Sequence, residues 1–123
     1  VKVEENNSIF LKGMEGIMMG IWSSHSEGRM IGESDYTPIK YVTPDGSPTD
    51  VYPYNPNGSR DGICSISSKC GRHLAIMPHP ERCFLTYQIP YLDKNHNLSK
   101  LKYSPWILMF QNAYDWCRNT TYV

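Results

Sequence analysis

The chain has 123 residues, with twelve basic and twelve acidic side chains and zero formal net charge. That balance argues against a broad nucleic-acid footprint. The length suffices for one hydrophobic core. No apolar run reaches the roughly 18 residues of a membrane span, and no signal peptide is visible.

The opening residues, Val1 to Ser8, read as the middle of a domain rather than its start. A short mixed segment follows at Ile9 to Lys12. Gly16 to Trp22 is a strand candidate whose glycines, Gly16 and Gly20, allow a bulge or a close backbone approach. Ser23 to Arg29 is a polar turn. Ile39 to Thr43 alternates weakly, Asp45-Gly46 marks a turn, and Val51 to Tyr54 is expected to pair back as a hairpin strand. The run Asn55-Pro56-Asn57-Gly58-Ser59 has strong turn chemistry. Ile63 to Ile66 and His73 to Met77 are two further strands with a turn at Gly71. Residues 84 to 103 are irregular and polar. The last element is a helix: Ser104 suits the N-cap and Pro105 the first helical position. Trp106, Met109, Phe110, Ala113, Trp116 and Cys117 follow the spacing of one apolar face, expected to pack on a sheet.

The most informative stretch is Arg72 to Arg82. Leu74, Ala75, Ile76 and Met77 are consecutive and apolar, as in a strand buried on both faces. Pro78 and Pro80 prevent a continuing helix. His79 and Glu81 follow the strand's carboxyl end, where sites gather in α/β sheets. Pro80 holds His79 away from helical angles. Glu81 is then placed to accept a hydrogen bond from one imidazole nitrogen, leaving the other as a base, which is two thirds of a nucleophilic triad. A solvated loop histidine beside a surface glutamate is the alternative.

Several segments, in order, resemble the C-terminal part of the phosphoribosylformylglycinamidine synthase family of glutamine amidotransferases. They are Leu11 to Gly16, Ile21 to Arg29, Tyr52 to Ser59, Gly71 to Arg82 and Ser104 to Trp106. The runs Asn55 to Ser59 and Met77 to Arg82 are the most specific. The resemblance implies an α/β fold, the C-terminal portion of a three-layer, flavodoxin-like class I amidotransferase domain closed by the final helix. It implies glutamine hydrolysis by a Cys-His-Glu triad, with His79 as general base and Glu81 as its orienting partner. The family's nucleophile sits in a Gly-x-Cys turn upstream of these segments, so the chain is expected to lack the half of the domain that carries it. Cys64, Cys70, Cys83 and Cys117 are expected to be structural or incidental thiols, and the chain alone to lack glutaminase activity. The implied partners are that missing half and a synthetase domain of the same polypeptide. ATP and magnesium would belong to the latter, so this chain is expected to hold no cofactor or metal. The implied compartment is the cytoplasm.

Two weaker groups are drawn from the same resemblance. Ser24 to Arg29 contains a second His-x-Glu pair, His25 and Glu27, in a loop near the glutamine pocket or the synthetase contact. Ser26 stands there in place of a family glycine and would be strained at positive φ. Asn55, Asn57, Gly58 and Ser59 are pocket formers by their amides and hydroxyl. For both groups a simple turn is the competing reading.

Three other readings remain. Zinc could use Cys64, Cys70, His73, His79 and Cys83, although the Cys64–Cys70 spacing is wider than structural zinc sites favour. A secreted, disulfide-paired glycoprotein domain would use the four cysteines. It would also use the Asn-x-Ser/Thr triplets at Asn6, Asn57, Asn97 and Asn119. A catalytically inactive amidotransferase-like module is the third, but it would have no chemical reason to keep both His79 and Glu81.

Overall fold

A computed structural model describes residues 1–91 and 100–120. Four short strands and one long helix emerge: β1 (Lys2–Val3), β2 (Ile39–Lys40), β3 (Ser65–Ser67), β4 (Leu74–Ile76) and α1 (Ile107–Asn119). Single 3-10 turns lie at Ile9–Leu11, Arg60–Gly62, Pro80–Arg82 and Thr86–Gln88.

β1 pairs antiparallel with β2, setting Lys2 opposite Lys40 and Val3 opposite Ile39. β3 pairs antiparallel with β4, from Ser65 opposite Ile76 to Ser67 opposite Leu74. Isolated bridges extend the first pair on both sides, Lys2 to Met18 and Lys40 to Ile63. Both pairings are antiparallel, so the described residues do not assemble the parallel sheet of a flavodoxin-like architecture. They form a mixed α/β arrangement with a closing C-terminal helix.

Within Gly16 to Trp22 the described structure bridges only at Met18 and Met19, and Gly16 itself lies in a turn. Gly20 is there for close approach. Its N–H donates to Tyr91 O at 2.8 Å, and a Cβ would stand 2.4 Å from Tyr91 N. The predicted strand at Val51 to Tyr54 does not form. Tyr52 to Tyr54 lie in a turn, and Val42 bridges Pro48 instead. Pro48 precedes this stretch and Pro53 lies within it, and both lack the N–H group a ladder needs.

Val3, Leu11, Met14, Met19, Ile39, Tyr41, Cys64, Cys83, Trp106 and Met109 form the core. Trp106 anchors it, fully buried, with its indole N–H on Gly20 O at 3.1 Å. Ser104 Oγ accepts the Trp106 N–H at 3.2 Å. The N–H groups of Ile107, Leu108 and Met109 then reach back three residues. A tight turn thus leads into α1, and regular helix begins later than Ser104 alone implies.

The predicted helix face is only partly covered. Met109 is buried and Ala113 and Trp116 are half-buried, but Phe110 and Cys117 are exposed. α1 rests on the 3-10 turn Ile9–Leu11 rather than on a flat sheet. Asn112 clamps it there, its amide donating to Phe10 O and Lys12 O at 2.9 Å each. β4 likewise departs from its expected double burial: Leu74 and Ile76 are half-buried and Ala75 is exposed. Among the described residues β4 has a strand neighbour on one side only.

Candidate active site

Pro80 shapes the turn that follows β4. His79, before it, is held at φ −115° and ψ 87°, outside the helical region. Pro80–Arg82 then closes a 3-10 turn, with Arg82 N donating to His79 O at 3.1 Å. The His79 N–H is tied to Trp22 O at 2.9 Å. With its backbone fixed at both ends, His79 turns Nδ1 onto Glu81 Oε1 at 2.6 Å.

Burial raises the Glu81 pKa, but the His79 hydrogen bond, a backbone N–H and the His79 and Arg82 charges outweigh it. The carboxyl therefore lies below its ordinary value and is the acceptor. In the neutral ring the proton sits on Nδ1, facing Glu81, and Nε2 keeps the lone pair. Beside the pair runs a groove of about 290 Å³, walled by Leu74 and Ile76 from β4 and by Phe110 and Ala113 from α1. His79 thus lines an open groove with a largely apolar wall.

The second group of predicted residues forms a clasp. Asn55 is buried and occupied within its own turn. Its Nδ2 donates to Thr49 O and Ser59 O at 2.8 Å, and its Oδ1 accepts from Asn57 N at 3.2 Å and Gly58 N at 2.9 Å. Gly58 takes the positive φ, +69°, that such a turn needs. Asn57 reaches across to the other loop, donating to Gly28 O at 3.0 Å and approaching His25 Nε2 at 3.5 Å. Ser59 Oγ accepts the Met30 N–H at 3.1 Å.

His25 Nε2 also meets Ser23 Oγ at 2.9 Å. Asn57 Nδ2 can only donate, so its approach to Nε2 uses that nitrogen as an acceptor. Nδ1 is buried without a partner. Glu27 is exposed and makes no ion pair among the described residues. Ser26 has an ordinary φ, since Asp61 is the one non-glycine residue at positive φ among those described. The strain considered for Ser26 is absent.

The structure thus joins His25, Asn57 and Ser59 in one clasp, keeps Asn55 and Gly58 as its internal supports, and leaves Glu27 outside it. It also supplies links that the sequence reading missed. Arg82 Nη1 donates to Ser24 Oγ at 2.7 Å. A Cβ on Gly28 would come within 2.8 Å of Met77 Cε. Trp22 O holds His79 N. Arg82 lies inside the quoted Met77 to Arg82 run, and its invariable positive charge was the signal available.

All four cysteines are free, so the disulfide framework of the secreted reading is not formed. Cys64 and Cys83 are core residues. Burial pushes the Cys64 thiol up to about 12 and raises that of Cys83. Exposed Cys70 is the opposite case, lowered to about 6 by hydrogen bonds from Ser68 and then Arg72, with a weaker one from His73. Among the described residues no three His, Cys, Asp or Glu side chains converge as metal ligands. Asn57 has both ends of its amide engaged in the clasp, unlike an exposed glycan acceptor. The triplet at Asn97 lies outside the described residues. No helix among them is long and apolar enough to cross a membrane.

A histidine–glutamate pair after a short strand, closed by a C-terminal helix, is the arrangement that the sequence resemblance implied. The chain belongs to the CobB/CobQ-like glutamine amidotransferase domain family, which it matches over residues 1–117. It is 47% identical over 126 residues to a protein of Arabidopsis thaliana named probable phosphoribosylformylglycinamidine synthase, chloroplastic/mitochondrial. That match covers 94% of this chain and 9% of the relative. The phosphoribosylformylglycinamidine synthases of Dictyostelium discoideum and Homo sapiens are 46% and 38% identical, over 95% and 94% of this chain and 10% and 9% of theirs. The chain therefore spans about a tenth of the length of the curated relatives it matches.

Proposed function

We propose that this chain is the C-terminal portion of a glutaminase domain in a phosphoribosylformylglycinamidine synthase, an ATP-dependent ligase of purine biosynthesis. The observation that carries the proposal is the 2.6 Å hydrogen bond from His79 Nδ1 to Glu81. It leaves Nε2 free beside an apolar groove, in a chain of amidotransferase ancestry. An inactive module would need neither half of that pair.

In this reading the nucleophilic cysteine comes from polypeptide outside this chain, completing a three-layer, flavodoxin-like domain. His79 Nε2 takes the thiol proton, and sulfur attacks the side-chain amide carbon of glutamine. The imidazolium returns the proton to the departing nitrogen, releasing ammonia. Water, deprotonated by the same nitrogen, then hydrolyses the thioester to glutamate. Glu81 orients the ring and stabilises its charged form throughout. The ammonia passes to a synthetase domain, which uses ATP and magnesium to convert formylglycinamide ribonucleotide to the amidine. This chain contributes no cofactor site to that step and contacts neither nucleic acid nor membrane. The name of the Arabidopsis relative includes plastid and mitochondrial placement, so a cytoplasmic location is part of the proposal rather than of family membership.

The test is His79→Ala in the complete enzyme. Glutamine-dependent synthesis should fall by about 10²-fold or more, while ammonia-dependent synthesis stays intact. Loss of both activities together, or of neither, overturns the assignment.

A further inference from the structure

We propose that Arg82 is a positioning residue that locks the Ser23 to Met30 loop against the turn bearing His79 and Glu81. The inference rests on the amidotransferase reading above and adds a coupling between the acid–base pair and the loop beside it.

Three contacts join the two segments. The His79 N–H on Trp22 O fixes the root of the loop. Gly28 lies against the Met77 methyl, with no room for a Cβ at 2.8 Å unless that methyl moves. The third, Arg82 Nη1 on Ser24 Oγ at 2.7 Å, is a bond between two side chains. Arg82 is the last residue of the Pro80–Arg82 turn, so its guanidinium is carried by the same rigid 3-10 turn that carries Glu81. On its far side the loop is held by Asn57 on Gly28 O and by Ser59 on Met30 N. The loop is therefore clamped between the catalytic turn and the Asn55 to Ser59 turn, and Arg82 is the clamp on the catalytic side.

The position of this bond predicts its effect. It does not touch His79 Nε2, where the proton moves. Breaking it loosens the middle of the loop, which the other contacts still hold at its ends, and should weaken substrate capture rather than chemistry. The bond is exposed, so a modest effect is expected.

The experiment uses the complete enzyme with Arg82→Met, Arg82→Lys, Ser24→Ala and the Arg82→Met/Ser24→Ala pair. Arg82→Met and Ser24→Ala should each raise KM for glutamine by about three- to tenfold. kcat at saturating glutamine, measured well above the carboxylate range, should stay within about twofold, and ammonia-dependent synthesis should be unchanged. The double variant should be no worse than the worse single one, as partners in one bond require. Arg82→Lys, which keeps a donor, should recover part of the loss. Additive single effects, an unchanged KM, or a fall in kcat alone would overturn the positioning role. Should Arg82→Met fail to fold, Ser24→Ala alone decides, because an unchanged KM there removes the bond from the argument. Failure of the amidotransferase reading shows separately, as glutamine use that survives His79→Ala.

Discussion

Two histidines in this chain stand two residues before a glutamate, and the fold treats them differently. His79 meets Glu81 at 2.6 Å. His25 ignores Glu27 and turns Nε2 to Ser23 and Asn57. The spacing is the same, so spacing does not make the pair. The intervening residue and the backbone around it do. Pro80 fixes one torsion between His79 and Glu81, and the 3-10 turn folds the glutamate back toward the ring. Ser26 imposes no such constraint, and the clasp of Asn57 holds His25 to its own ends. One imidazole is left with a free nitrogen beside a groove and a carboxylate behind it. The other is left with a buried Nδ1 that has no hydrogen-bond partner among the described residues.

That contrast is broken most severely at the glutamates. Glu81→Gln keeps the shape but removes the charge that opposes the imidazolium. Glutamine-dependent turnover of the complete enzyme should fall on the order of 10²–10⁴-fold. Glu27→Gln should change it by about twofold or less, since Glu27 has no ion-pair partner among the described residues. Steady-state kinetics on both variants decides the matter, and comparable losses would dissolve the distinction. The pH dependence has a defined sign. The folded-state pKa of Glu81 is depressed, so its contribution is present above the ordinary carboxylate range and is lost as pH falls through the lowered value.

Pro80 sharpens the comparison on a smaller scale. Pro80→Ala keeps His79 and Glu81 but loosens the segment between them. A lost proline restraint is typically worth about 0.4–1 kcal/mol where the native angles suit it. If all of that appears in the alignment of the pair, glutamine turnover falls about two- to fivefold. A loss as large as that of Glu81→Gln would mean that Pro80 does more than restrict the backbone.

The parts of the molecule differed in how readable they were. The His79–Glu81 hydrogen bond, the Asn55 to Ser59 turn and the Gly20 close approach were legible because each is a local consequence of proline, asparagine or glycine chemistry. The final helix was legible as an element, but not the exposure of Phe110 and Cys117. Periodicity marks an apolar stripe without saying how much of it a neighbour covers, and α1 meets a narrow 3-10 turn. The same limit applies to β4, whose apolar run implied two covered faces while Ala75 is exposed. The failed hairpin at Val51 to Tyr54 shows apolar and aromatic residues outvoted by prolines. The Arg82–Ser24 bond spans 58 residues, and no local pattern announces a contact of that range.

A third histidine, His73, tests whether nearness of a thiol to an imidazole suffices for chemistry. Cys70 Sγ lies 3.9 Å from His73 Nδ1 and 3.3 Å from Ser68 Oγ, on an exposed turn. With its thiol lowered to about 6, Cys70 is largely thiolate at neutral pH. Its alkylation by iodoacetamide, followed by peptide mass spectrometry, should rise through a midpoint near pH 6 and level off above it. Buried Cys64, held near 12, should react only on unfolding. Yet Cys70→Ala should leave glutamine turnover unchanged. In the triad proposed here the nucleophile faces the free nitrogen of a histidine whose other nitrogen is held by a carboxylate. His73 instead spends Nδ1 on Ser68 and Cys70, and among the described residues it pairs with no carboxylate. A loss of turnover in Cys70→Ala would move the nucleophile into this chain and undo the division of labour proposed for it.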